Sequence, residues 1–102
     1  METQKNFDQI NEIINGIIIS TGGISEKFEI IDTIFAMNTA LPGAAPDEVL
    51  EKVKHDLAAK CRSLGGDAAL DCQFEYRTPE PPACFGVVDI IVFATAVKIV
   101  TQ

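Results

Sequence analysis

A chain of 102 residues is one domain's length, which excludes a two-domain enzyme with a cleft between its halves. Apolar residues make up 47% of it, enough for folding to bury about 65% of the unfolded surface without disulfides or a structural metal. The 15 acids and 8 bases give a net charge of -7 and a pI near 4.5, the wrong sign for a surface that binds phosphates, so neither nucleic acid nor anionic membrane is expected as a partner.

The chain opens with apolar residues at Phe7, Ile10, Ile13, Ile14 and Ile17. These spacings of three and four predict a short N-terminal helix with Asn6 as its cap and Gly16 as its stop. Residues 1–16 are therefore read as an extension, and residues 17–102 as a single domain. The β-branched run Ile17-Ile18-Ile19-Ser20-Thr21, closed by Gly22-Gly23, reads as a short strand. Residues 27–38 are apolar on both parities, with Phe28, Ile30 and Ile34 on one and Ile31, Phe35 and Met37 on the other, as in a strand covered on both faces. Thr39 to Pro46 holds two prolines and a glycine and is read as a loop.

A helix follows, with Pro46 in its first turn and Asp47 and Glu48 near the positive end of its dipole. Leu50, Val53, Leu57, Cys61 and Leu64 form its apolar stripe, which places Cys61 inside and His55 and Arg62 outside, and Gly65-Gly66 stops it. Residues 67–77 alternate, predicting Ala68, Leu70, Cys72, Phe74 and Tyr76 inward and Asp71, Gln73, Glu75 and Arg77 outward. A proline-rich connection centred near Pro79 and Glu80 leads to a long strand, Cys84 to Val100, apolar on both parities except at Asp89 and Lys98.

The expected architecture is α+β, with one main helix on a mostly antiparallel four-stranded sheet. One helix covers one face, whereas two of the strands carry apolar side chains for two. Burying ~400 Å² of apolar surface per subunit would contribute on the order of 10 kcal/mol before ordering costs. The nearest candidates to cover the second face are the N-terminal helix and another copy of the chain, and a homo-oligomer is the favoured expectation.

Three cysteines, separated by ten and eleven residues, fit no CxxC pair or disulfide framework and read as reduced thiols. The acidic start, with Glu2, Asp8 and Glu12, is unlike a signal peptide, and the apolar runs near it are short of a membrane span, so a cytoplasmic location is expected. No nucleophile elbow, P-loop, GxGxxG or HExxH motif occurs, and no catalytic residue is assigned.

Three cysteines and one histidine just reach the count for a zinc site, yet His55 and Cys61 lie 120° apart around their helix, and a hairpin register would set Cys72 opposite about Val88 rather than Cys84. Cys61 and Cys72 read as buried core thiols. The metal candidates are then Cys84 and His55 gathered from several copies around a symmetry axis, with Asp89 and Asp32 on the two-faced strands. Glu51, four residues before His55, allows either a shared ion or a plain surface pair. Asp89 marks an exposed or interface salt bridge, a hydrogen-bonded structural carboxylate, or a ligand contact, and Asp32 is open to the same readings. If their strands are neighbours, the two acids form a carboxylate pair. A divalent metal ion is the one cofactor these residues suggest. The other reading is a scaffold or protein-interaction module with no bound ligand.

Several segments resemble the YbjQ-like family, whose label names heavy-metal binding. They are Leu64-Gly65-Gly66-Asp67-Ala68, then Asp71 to Tyr76, then Ala94-Thr95-Ala96-Val97-Lys98, preceded by Ser20-Thr21 and Phe28-Glu29-Ile30-Ile31. The resemblance covers roughly residues 19 to 99. It departs from the family in a shortened segment at Asn38 to Pro46 and in residues 1–16, which have no counterpart. It implies a small dodecin-like or YbjQ-like α+β fold and a ring-like homo-oligomer, commonly a pentamer.

Overall fold

The computed structural model describes residues 11–40, 46–77 and 88–100. Five strands and one helix follow in the order β1 (Asn11–Ile14), β2 (Ile17–Ser20), β3 (Phe28–Ala40), α1 (Pro46–Ser63), β4 (Ala68–Arg77) and β5 (Val88–Ile99). The strands form one mixed sheet in the order β1-β2-β4-β5-β3. Every neighbouring pair is antiparallel except β2 and β4, which run parallel. The α+β class is as expected, but the sheet has five strands rather than four.

The fifth strand replaces the C-terminal half of the expected N-terminal helix. Residues 11–14 pair with residues 17–20 across a two-residue turn, where Asn15 has φ 51° and Gly16 φ 84°. Both central residues of a type I′ hairpin need positive φ, and Asn-Gly is the dipeptide that adopts it at least cost. Spacings of three and four across Ile10 to Ile17 looked helical because isoleucine occupies both parities of two short strands. The Arg62 guanidinium donates to the Asn15 carbonyl at 3.0 Å and ties the turn to the end of α1. Residues 1–10, the rest of the expected helix, lie outside the described residues, as does the start of the predicted strand at Cys84.

α1 starts at Pro46, carries acids in its first turn and Lys60 and Arg62 in its last, and packs on one sheet face. The core beneath it includes Ile14, Ile17, Ile19, Ile34, Val53, Leu57, Cys61, Val92 and Ala96. Leu64, placed on the stripe by sequence, is exposed because the helix stops one residue before it. The stop is a Schellman motif, with Gly65 N–H donating to the Arg62 carbonyl and Gly66 N–H to the Cys61 carbonyl, each at 2.9 Å.

Two bulges decide which way side chains point. In β4 the register passes from Leu70 opposite Thr95 to Gln73 opposite Phe93, so β4 spends one extra residue at Asp71, whose φ is 55°. The alternation read from the sequence thus changes face in mid-strand. Ala68 and Leu70 join Val97, Ile18 and Ile24 on the side away from α1, whereas Cys72 and Phe74 face the helix. Tyr76, expected inside, is exposed. In β3 a second shift falls between Ile30 and Asp32. β3 itself runs to Ala40, two residues into the expected loop. The β4-β5 connection is centred about three residues later than expected, with Arg77 opposite Asp89, which sets Cys72 near Ala94 instead of Val88.

Candidate functional site

β5 fixes the two faces, because both bulges lie on its neighbours and its own alternation is unbroken. Ile90, Val92, Ala94 and Ala96 face α1, so Ile91, Phe93, Thr95 and Val97 face away. Following the register outward, Phe35 lies opposite Phe93, Met37 opposite Ile91, Ile30 opposite Val97 and Phe28 opposite Ile99. On the other side, Ala68 lies opposite Val97, Ile18 opposite Ala68 and Ile13 opposite Ile18. The face without the helix therefore carries Ile13, Phe28, Ile30, Phe35, Met37 and Phe93. All six are exposed, Ile13 at 73%, Ile30 at 70% and Phe35 at 54%. Together they present on the order of 600 Å² of apolar surface, the upper end of what a monomer leaves open.

The loop between β2 and β3 divides this face. Ile24 folds back over Ala68, Leu70 and Val97, and Asp71 N–H donates to the Gly22 carbonyl at 3.0 Å. Between the loop and the first hairpin lies an open groove of about 400 Å³, lined by Glu12, Ile13, Ile18, Gly23, Ile24 and Glu26 among others. At the β3 edge the Phe35 and Phe93 rings sit 6.2 Å apart, tilted by 35°. Lys60, on α1, reaches the outer edge of β3, where its Nζ lies 4.6 Å from the Phe35 ring centre and donates to the Phe35 carbonyl at 2.6 Å. A lysine on an edge-strand carbonyl also blunts strand addition there.

Sequence reasoning missed Lys54, which is 5% exposed. Its Nζ bonds Glu12 on β1 at 2.7 Å and Glu51 one turn back at 2.8 Å. Burial works to lower its pKa, but the hydrogen bonds and charges of Glu12 and Glu51 carry it above the ordinary lysine value. Glu51 is held below the ordinary carboxylate value, first by its hydrogen bond from Lys54 and then by that residue's charge. The signal was available, since Lys54 falls only 40° from Leu50 and 20° from Cys61 around the helix.

The sequence-predicted site residues do not converge in one chain. His55 is exposed as expected, and its Nδ1 lies 2.8 Å from the Glu51 carbonyl oxygen, an arrangement in which Nδ1 carries the proton. The Glu51 carboxylate turns to Lys54, not to His55. The strands of Asp32 and Asp89 are neighbours, but Asp32 lies opposite Ala96 and Asp89 opposite Thr39. Those positions are some seven residues, about 23 Å, apart along β5 and on opposite faces, so the carboxylate pair does not form. Asp32 accepts from the Thr33 N–H at 2.7 Å and Asp89 from the Thr39 hydroxyl at 2.8 Å. Among the described residues no three His, Cys, Asp or Glu side chains form a metal-sized cluster, and Cys84 lies outside them. Cys61 and Cys72 are buried free thiols. Burial and the Asp67 charge raise the first, and chiefly burial pushes the second up to about 11.

No family model and no curated protein matches the chain. A solved structure does, that of a protein of unknown function belonging to the DUF74 family from Pediococcus pentosaceus. It is 20% identical, with a TM-score of 0.74, over 84% of this chain and 100% of that one. At that identity the likeness shows the fold, a small α+β domain of one helix on a mixed sheet. DUF74 is the YbjQ-like family, so the fold agrees with the one that the sequence resemblance implied. No helix among the described residues is long and apolar enough to cross a membrane.

Proposed function

We propose that this protein is a non-catalytic, self-associating module, a homo-oligomer built through the sheet face that α1 leaves open. The observation that carries this reading is the set of six exposed large apolar side chains on that face, on the order of 600 Å² where a standard interface takes about 800 Å² from each partner. The resemblance to ring-forming domains supports a ring, with five subunits the favoured number. Metal or small-ligand binding enters through symmetry. A site would be built where copies meet; of the candidates within the described residues, Asp89 lies on the open face, whereas His55 on α1 and Asp32 on the helix side lie away from it, and the charge of -7 per chain concentrates carboxylates that favour a cation as guest.

The test is native mass spectrometry with light scattering on protein purified without chelator. A discrete multimer at micromolar concentration is the expected result, and the mass retained beyond the polypeptide reports any ligand. A monomer throughout that range refutes the assembly. Titration of zinc, copper and nickel into the reduced protein, with no binding tighter than tens of micromolar, removes the metal and leaves a ligand-free scaffold.

A further inference from the structure

The sheet ends on one side at β3, thirteen residues long, and an edge strand of that length offers a row of backbone groups on which another strand can pair. The direction of those groups follows from β5. Its Val97 carbonyl accepts from the Asp67 N–H at 2.8 Å and its Ile99 N–H donates to the Asp67 carboxylate at 2.8 Å, so the odd-numbered residues of β5 turn their backbone toward β4. Val100, of the other parity, donates its N–H to the Lys27 carbonyl on the β3 side at 2.9 Å. Thr33, Phe35, Met37 and Thr39 lie opposite the odd-numbered Thr95, Phe93, Ile91 and Asp89. These are therefore the non-hydrogen-bonded pairs of the ladder, and the four β3 residues point their own N–H and C=O groups outward, away from β5.

Three side chains already occupy that outward row. Asp32 accepts from the Thr33 N–H at 2.7 Å, Asn38 accepts from the Thr39 N–H at 2.8 Å, and the Lys60 Nζ donates to the Phe35 carbonyl at 2.6 Å. Asp32 and Asn38 lie opposite Ala96 and Ile90 on the helix side of the sheet, and Lys60 comes from α1. All three reach the edge from that side and leave Phe35 and Met37 exposed on the other. An added strand bonds both backbone groups of every second residue. The caps fall on Thr33, Phe35 and Thr39, so an incoming strand would have to displace one at nearly every step and bury a carboxylate and an ammonium beside it. We infer that Asp32, Asn38 and Lys60 close the β3 edge to strand addition by a second copy of this chain. The sheet then cannot propagate from β3, and contacts between copies are left to surfaces that bury side chains. This closure is needed by a monomer as much as by an assembly, so it stands apart from the oligomer proposed above.

The test removes the caps from the full chain as Asp32→Ala, Asn38→Ala and Lys60→Met, singly and together, with unchanged circular dichroism as the check that each variant folds. Sedimentation measures association beyond the parent's own state. Each cap lost is expected to strengthen it about fivefold, the net worth of one hydrogen bond, and all three about 100-fold. Asn38→Ala with Lys60→Met, both clear of the β3 bulge between Ile30 and Asp32, repeats the test at about 25-fold if the triple variant does not fold. Lys52→Met with Asp56→Ala, which removes the same charges from the exposed side of α1, is expected to sediment like the parent. Amide hydrogen exchange identifies the contact: the outward N–H groups of Phe35 and Met37 are expected to exchange about tenfold more slowly in the associated triple variant than in the parent. A decapped chain that sediments like the parent, or associates no more than the control, overturns the inference. Association without slowed exchange at Phe35 and Met37 also overturns it, because the contact then runs through side chains.

Discussion

The two glycines after α1 look interchangeable as helix stops, yet the structure gives them different work, and Gly66→Ala separates the two. Gly65 has φ 82° with open space where a Cβ would stand, so its requirement is conformational. Gly66 has an ordinary φ, but a Cβ there would lie 2.7 Å from the Cys61 sulfur, 3.1 Å from the Cys61 carbonyl oxygen and 3.2 Å from the Val97 carbonyl oxygen. Cys61 is fully buried and its thiol donates to the Ala68 carbonyl, so the sulfur has nowhere to go, and the two carbonyls belong to the helix end and to β5. Overpacking of this kind costs about 1 to 3 kcal/mol, and Gly65→Ala about 1 to 2 kcal/mol through its left-handed backbone. In a domain of this size either change lowers Tm by roughly 4 to 8 °C per kcal/mol. The discriminating measurement is a double-mutant cycle with Cys61→Ala, read by urea unfolding at one protomer concentration because assembly contributes to stability. Removing the sulfur relieves the closest contact, so Gly66→Ala and Cys61→Ala are expected to couple by about 0.5 to 2 kcal/mol, whereas Gly65→Ala and Cys61→Ala are additive. A Gly66→Ala variant as stable as the parent, or a cycle with no coupling, refutes the close-packing account of this position.

Two further predictions concern the groups that burial and pairing perturb. Lys54→Met should leave stability near neutral pH within about 1 kcal/mol, since an apolar side chain of similar length replaces a buried cation whose partners can rehydrate. It should also change the pH profile. The raised Lys54 contributes stability that is complete below the ordinary value of 10.5 and fades as pH climbs through its higher folded value, while the lowered Glu51 contributes stability present above 4.5 that fades as pH falls through its lower folded value. The variant's urea midpoint should be flatter than the parent's at both extremes, and an unchanged alkaline loss would place its cause elsewhere. Cys61 and Cys72 should resist iodoacetamide at pH 8 in the native protein: burial raises the Cys61 thiol, and Cys72, pushed up to about 11, is thiolate in roughly one molecule in a thousand. Peptide mass mapping checks this, and labelling at the rate seen in urea would contradict their burial.

Much of this fold was legible because local chemistry and packing agreed. Pro46, the acids after it and the Leu50-Val53-Leu57-Cys61 stripe placed α1 to within a residue or two, and residues apolar on both parities located β3 and β5. The errors share one physical origin, the assumption that a period continues unbroken. Ile10 to Ile17 satisfied a helical period only because short strands of isoleucine satisfy every period, and the Asn15-Gly16 pair was the stronger signal. Asp71 breaks the alternation of β4 with a single left-handed residue, and nothing in its neighbours' polarity announces that. Lys54 is charged, yet its angle around α1 puts it in the apolar stripe.

The bulge at Asp71 also explains why the open face is legible only in part. Had β4 kept its phase, Leu70 would share the helix side with Cys72, and the second cluster of Ala68, Leu70 and Val97 would lose its largest member. The extra residue sends Leu70 outward, where Ile24 from the β2-β3 loop covers it, and that cover turns a flat apolar face into a groove at one edge and an aromatic patch at the other. The count of apolar faces, visible in the sequence, predicts that something must cover them. How that cover divides the face depends on the left-handed torsion at Asp71, which the pattern of apolar residues does not encode.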